Sequence, residues 1–315
     1  MVVVGDALVD ELRDDRGVRE FVGGAALNVA VGVSRLGVPT TLIAMVGDDP
    51  AGARIRSYLA DFDVELLATP SPLGSSRAVS ERAVSERAGG ERAGGAEPVY
   101  AFNEAARARR IRFGHAERAA VADAPMTVVS CFPFDDAVQS AEFATSVRAS
   151  ATRLIIDPNP RTGMMGDLAE FVAGFEDLAP RASLVKIGDD DAHLMFGESL
   201  DDSVDRMRAL DVPVVLATKG SAGASLRGES LGDGELAAPI AELPGGIVDT
   251  MGAGDATLSA TVARLVRDGE PRDAVGWREV LEEAMLIAAA TCRFEGALLR
   301  TPAELREVDV DRVGT

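Results

Sequence analysis

Lysine is nearly missing from this chain. Lys186 and Lys219 are its only two, and arginine supplies the rest of the 32 basic side chains. Against them stand 51 aspartates and glutamates, for a net charge of −19. So acidic a chain lacks the basic footprint that duplex or single-stranded nucleic acid requires, and an anionic membrane surface would repel it. No nucleic-acid and no membrane partner is expected. Cysteine is equally scarce: Cys131 and Cys292 lie far apart without a C-x-x-C spacing, which removes support for a disulfide framework or a zinc site. The two histidines, His115 and His193, are too isolated to build a histidine metal centre or a Ser-His pair. Long apolar runs are missing as well. Ala284 to Ala290 is the longest, far short of the ~20 residues needed to span a bilayer. The opening Met1-Val2-Val3-Val4-Gly5 has no charged region, long apolar segment or cleavage site of a secretory signal, so a cytoplasmic location is expected.

What is present reads as a globular α/β chain. Apolar residues make up 47% and charged residues 26% of 315, enough to bury a full core. Short β-branched or apolar runs recur between helical patterns at Val2 to Val4, Thr41 to Val46, Thr127 to Ser130, Leu154 to Ile156, Leu184 to Ile187 and Val214 to Ala217. That alternation predicts βα units and a mostly parallel sheet. In such sheets ligands sit beyond the carboxyl ends of the strands, so the chemistry belongs just after these runs. Residues 78 to 97 break the pattern with four five-residue units, Ala-Val-Ser-Glu-Arg twice, then Ala-Gly-Gly-Glu-Arg and Ala-Gly-Gly-Ala-Glu. With no apolar face, this tandem expansion predicts an exposed excursion, or a short charged helix. Val99-Tyr100-Ala101-Phe102 then resumes a strand-like alternation.

The strongest chemical signal is Asp249-Thr250-Met251-Gly252-Ala253-Gly254-Asp255, followed by a helical stretch from Ala256 to about Val266. Gly252, Ala253 and Gly254 let the backbone approach a phosphate, and the N–H groups of a helix start stabilise negative charge there. A carboxylate at the end of such a loop repels phosphate but can take a proton from an incoming hydroxyl, the role that fits Asp255. A capping aspartate on an ordinary helix start is the simpler alternative. The G-x-G-x-x-G spacing of a dinucleotide fingerprint and the lysine of a Walker A loop are both absent. Earlier in the chain, Gly23-Gly24-Ala25-Ala26-Leu27-Asn28 leads into the periodic stretch Val29 to Leu36. Its glycine pair permits close backbone approach, and Asn28 offers donors and acceptors to hydroxyls. With Gly5-Asp6-Ala7-Leu8-Val9-Asp10, it makes a polyol cradle in which Asp10 can accept from two adjacent hydroxyls.

These two segments resemble the signatures of the ribokinase-like (PfkB-type) carbohydrate kinases, in the family's order over nearly the whole chain. The resemblance implies a three-layer α/β/α sandwich with a mostly parallel central sheet, residues 1–315 forming one kinase domain. It also implies a small β lid, to which residues 11–22 and 71–103 contribute, with Tyr100 and Phe102 on an aromatic lid strand. Asp157-Pro158-Asn159-Pro160-Arg161 is similar to the Asp-Pro-Asn-x-Arg segment of fructokinase-like members, and Asp6 with Asp10 to their Gly-Glu-x-x-x-Asp start. On this basis Gly23, Gly24, Asn159 and Arg161 join Asp10 and Asn28 as sugar-binding residues.

Lys186-Ile187-Gly188-Asp189-Asp190-Asp191 stands where the family has Lys-x-Asn-x-x-Glu, a segment that helps place Mg²⁺ and phosphate. Gly188 has lost the Asn function, and Asp191 keeps a shorter carboxylate; an acidic helix start accounts equally well for residues 189 to 191. Thr218-Lys219-Gly220-Ser221-Ala222-Gly223 resembles the family's nucleotide loop. The segment Ala288 to Ala297, with Ala288 and Cys292, resembles the adenine-side wall, although its small residues also suit helix packing. The resemblance implies ATP and Mg²⁺, and a monovalent cation such as K⁺ near Asp249. Lid-joined homodimers are common in the family, a contact that the expanded lid can block. Fructose is the expected acceptor. Ribose, a nucleoside or 2-keto-3-deoxygluconate are alternatives, and a non-catalytic sugar-binding regulator is an alternative of another class.

Overall fold

The computed structural model describes residues 1–14, 17–81, 100–231 and 234–305. The chain begins with strand β1 (Val2–Gly5), then β2 (Leu8–Asp14) and β3 (Gly17–Gly23), helix α1 (Ala25–Arg35), β4 (Thr41–Gly47), α2 (Pro50–Asp61), β5 (Glu65–Ser71) and β6 (Ser76–Glu81). There follow β7 (Tyr100–Phe102), α3 (Glu104–Arg107), α4 (His115–Asp123), β8 (Met126–Ser130), α5 (Ala137–Arg148), β9 (Arg153–Asp157), α6 (Leu168–Leu178), β10 (Ala182–Gly188) and α7 (Asp189–Phe196). The last elements are α8 (Leu200–Ala209), β11 (Val214–Thr218), β12 (Ala224–Gly228), β13 (Leu236–Ala238), α9 (Ala253–Asp268) and α10 (Ala274–Thr291).

Among the described residues nine strands form one sheet in the order β13-β12-β11-β10-β9-β8-β1-β4-β5. All neighbours from β11 through β5 pair in parallel; β12 and β13 are antiparallel additions at one edge. Strand residues alternate between two cores. Val3, Val128, Ile155, Leu184 and Leu216 pack with α1, α9 and α10, while Val2, Val4, Val129, Ile156, Val185 and Val215 pack on the opposite side with Phe143, Phe171, Phe175 and Met207. Burial on both faces is why these strands read as continuous apolar runs in sequence.

A second, four-stranded sheet, β3-β2-β6-β7, forms the lid. It is larger than the sequence implied, because β2 begins at Leu8 and Ala78 to Glu81 of the repeat lie in β6. There Ala78 is buried against Leu8, Ala25 and Phe102, which corrects the expectation that the repeat has nothing to bury. The rest of the repeat lies outside the described residues. Asn103 fixes the lid's exit: its side chain accepts from the N–H groups of Ala106 and Arg77 and donates to the Ser75 carbonyl. On the outer rim Glu20 pairs with Arg54 of α2, and Arg19 with Glu295, each at 2.7 Å.

Candidate active site

The parallel strands end together, so Gly5, Ser130, Asp157, Gly188 and Thr218 line one edge of the sheet. Onto this edge come the amino ends of α1 and α9. Neither helix has a side-chain N-cap, and the first-turn N–H groups of a helix have no intrahelical carbonyl to bond. Asp6, just past β1, anchors α1 instead: its Oδ1 accepts from Ala26 N–H at 3.0 Å and its carbonyl from Leu27 N–H at 3.2 Å. At α9 the turn is set by Gly252, whose φ of +74° is left-handed and whose missing side chain would fall 2.7 Å from the Ala297 backbone. Only glycine fits both demands. α9 starts at Ala253, three residues before the apolar periodicity shows it, and so brings Gly254 and Asp255 into its first turn.

One hydrogen bond joins the two sequence signatures: Asn28 Nδ2 donates to Asp255 Oδ2 at 2.8 Å, across 227 residues. Asp255 is buried, and burial pushes its carboxyl up to about 6; the Asn28 hydrogen bond opposes this, Asp157 adds to it, and Lys186 and Arg161 counter it. Asp10 projects from β2 onto Gly23, where a Cβ would meet its Oδ2 at 2.3 Å. Burial and the charge of Asp6 push Asp10 up to about 7, against the pull of Arg161. Burial also raises Asp6, opposed by the Ala26 hydrogen bond and by the charges of Arg109 and Arg161. Arg161 thus lowers four carboxylates at once, those of Asp6, Asp10, Asp191 and Asp255. Cys131 and Asn159, just past β8 and β9, hold left-handed φ values of 47° and 40°, backbone strain of the kind concentrated at functional sites.

The remaining expected residues divide. Phe102 packs beside the 163–164 turn with Ala78, Cys131 and Met164. Tyr100 lies on β7, and its side chain is outside the described residues. Lys186 lies at the centre, 5% exposed, donating to Asp157 Oδ1 at 2.9 Å. Asp191 Oδ2 accepts from the Gly188 N–H at 2.9 Å, as the capping reading expects, and stands 3.9 Å from Lys186 Nζ. Thr218 reaches the centre too, its Oγ1 lying 3.1 Å from the point where a Cβ on Gly188 would sit.

Lys219, in the segment that resembles a nucleotide loop, has an acidic partner of its own. It pairs with Glu235, just before β13, at 2.7 Å, because the antiparallel edge strands bring a carboxylate within reach. What remains of that loop is its backbone turn, in which Lys219 N–H donates to Gly223 and Gly223 N–H to Gly220. Ala288 and Cys292 have buried side chains packed into the body; Cys292 acts through its carbonyl, which accepts from Val248 and Asp249. Asp249 is a staple: Oδ1 accepts from Met251 N–H and Oδ2 from Gly296 N–H, each at 3.0 Å.

Two groups carried no flag in the sequence. Arg109 is buried and donates to the carbonyls of Met164 (2.9 Å) and Ala106 (3.3 Å); in a chain where arginine is the default base, nothing marks it. Ser130 donates to Asp157 Oδ2 at 2.8 Å, a pairing set by the register of β8 and β9.

An uncapped helix start beside a buried, hydrogen-bonded carboxylate is an arrangement that suits phosphoryl transfer to a hydroxyl. The chain matches the pfkB family carbohydrate kinase profile over residues 2–302 and belongs to that family. It is similar to the fructokinase of Salmonella typhimurium, at 28% identity over 307 residues covering 95% of both chains. Its fold is that of the fructokinase of Vibrio cholerae O395 bound to fructose, ADP and calcium (TM-score 0.75, 22% identity, 97% of each chain). It is equally that of aminoimidazole riboside kinase from Salmonella enterica bound to aminoimidazole riboside and an ATP analogue (TM-score 0.73, 22% identity, 98% of this chain and 99% of the other). The protein is an ATP-dependent sugar kinase, and the family implies a divalent metal.

Proposed function

We propose that this kinase transfers the γ-phosphate of ATP to a primary hydroxyl of a small neutral sugar, fructose being the preferred acceptor. The observation that carries the reading is the Asn28–Asp255 hydrogen bond at the uncapped start of α9. It fixes a buried carboxylate where an acceptor held by the Gly23–Asn28 segment and a phosphate held by Gly252–Gly254 would meet. Asp255 takes the hydroxyl proton, the hydroxyl oxygen bonds to the γ-phosphorus, and the bond to the β-phosphate oxygen breaks to leave ADP. The N–H groups at the start of α9, with Arg161 and Lys186, offset the negative charge of the transferring group. Phe102 and the lid strands exclude water.

Neutral acceptors are favoured because Asp6 and Asp10 put two carboxylates on the acceptor side, with Arg161 shared among four acids. Acidic acceptors such as 2-keto-3-deoxygluconate would meet repulsion there. Mg²⁺ commonly keeps several waters and takes one or two carboxylates besides the phosphates, so Asp191 alone fits as its protein ligand. When bound, the ion offsets phosphate charge. Asp249 already accepts two backbone N–H groups, and no step is assigned to a monovalent cation there. A riboside acceptor is the second reading, supported by the full-length likeness to aminoimidazole riboside kinase.

The test is ADP release with Mg-ATP over fructose, ribose, glucose, adenosine, aminoimidazole riboside and 2-keto-3-deoxygluconate, with Asp255→Asn alongside. Fructose is expected to give the highest kcat/KM, and Asp255→Asn to lose about 10²- to 10⁴-fold. A riboside preferred over fructose selects the second reading. ATP binding with no turnover on any acceptor makes the protein a sugar-binding regulator.

A further inference from the structure

Behind Gly254, three neighbouring strand ends hold a buried chain of polar groups, of which the proposed transfer step uses Lys186 alone and leaves Ser130 and Asp157 without a role. Ser130 ends β8, Asp157 ends β9 and Lys186 lies near the end of β10. Ser130 and Asp157 are fully buried and Lys186 is 5% exposed. Both Asp157 oxygens are taken, Oδ2 by the Ser130 hydroxyl at 2.8 Å and Oδ1 by the Lys186 ammonium at 2.9 Å. On its other side the ammonium lies 3.5 Å from where a Cβ on Gly254 would sit, directly behind the loop that faces phosphate. Burying such an ion pair is costly, and well-packed apolar residues of similar size often serve stability as well or better. Its presence at the one point where β9, β10 and α9 converge therefore calls for a role in the reaction. Lys186 is one of only two lysines in a chain that otherwise uses arginine, and its compact ammonium sits close behind Gly254.

We infer that Asp157, clamped by Ser130, is a positioning residue for phosphoryl transfer: it holds the Lys186 ammonium against the anion loop and balances that charge beside the base Asp255. The inference rests on the reading of Asp255 as the base. Asp255 faces Asn28 from α1, Asp157 from β9, Arg161 from the segment after β9 and Lys186 from β10, while Asp191 of α7 faces Lys186 and Arg161. Of these, Asp157 favours the protonated base and Lys186 the ionised one. Removing them should move the base in opposite directions, which loss of packing alone would not do.

The experiment is sugar-dependent ADP release from pH 5 to 9, with melting temperatures, for wild type, Asp157→Asn, Lys186→Met, Ser130→Ala and Asp255→Asn. Asp157→Asn is expected to lower kcat about tenfold or more, to leave the sugar KM within about twofold, and to move the acid limb down by about half a pH unit. Lys186→Met should move the limb up. Limbs that stay in place, or move in the same direction, overturn the inference. Should either charge variant fail to fold, Ser130→Ala decides: kcat reduced about threefold or more at unchanged melting temperature supports the positioning role, and unchanged kcat overturns it. Undiminished turnover by Asp255→Asn would instead remove the base itself and the inference with it. Silent Asp157 and Ser130 variants beside a dead Asp255→Asn leave the base reading intact and sink only the inference.

Discussion

At the scale of single residues the site is poised by burying more acid than it can neutralise. Asp10 shows the cost. Its carboxyl titrates near 7 in the folded protein against an ordinary 3.8. Between about pH 4 and pH 7 the folded chain keeps a proton that the unfolded chain has shed, so this group's contribution to stability falls as pH rises through that window and is least above it. Asp10→Asn is therefore expected to stabilise the ligand-free protein by about 1–3 kcal/mol at pH 8, with little effect at pH 4, while sugar binding collapses. Thermal melts at the two pH values, with and without sugar, check this. The catalytic signatures were legible residue by residue because small residues and a lone carboxylate at a helix start have a chemical reason to be there. The partners of Asp157 were not, since Ser130 and Lys186 are brought to it by strand register from 27 and 29 residues away. The partner of Lys219 was hidden for a related reason: the pairing of β11, β12 and β13 supplies a glutamate that no local pattern shows.

At the scale of elements, the inner strands of the parallel sheet could be read directly as apolar runs, whereas the half-exposed edge strand β5 and the helix starts could not. α1 and α9 lack side-chain caps, the usual mark of an amino terminus, and the start of α1 is held instead by Asp6, just past β1. The lid was only partly visible: its strands are short, and one of them borrows the first unit of a repeat that looks polar throughout. The α9 start is the element most sensitive to substitution. Gly252→Ala would force a left-handed side chain into the Ala297 backbone, with an expected loss of about 1–3 kcal/mol and of about 10²-fold or more in turnover. Calorimetry and initial rates on the purified variant check both. A variant with wild-type kcat would show that the loop does not hold the transferring phosphate.

At the scale of the whole molecule, a net charge of −19 surrounds a site that must admit ATP. Raising ionic strength from about 10 mM to about 150 mM shortens the screening length from about 30 Å to about 8 Å. Long-range repulsion of the nucleotide then weakens, and KM for ATP is expected to fall about twofold at constant Mg²⁺ with kcat unchanged. Titration with tetramethylammonium chloride, whose cation is too large for a potassium site, separates this from ion-specific effects. A KM that rises with salt would mean that local cations, chiefly Arg161 and Lys186, govern nucleotide capture.

The lid leaves and rejoins the body through Asp6–Ala7, Gly24, the 72–75 turn and Asn103, and two of these crossings lie within four residues of Asp10 and Asn28, the residues proposed to hold the acceptor. A molecule touching Asp10 on the lid and Asp255 on the body would act as a reversible crosslink between two independently hydrogen-bonded sheets. Sugar occupancy and mechanical coupling of the sheets then become one event, and backbone protection gained on binding would concentrate in β2 and β3, while the central sheet, buried on both faces, gains little.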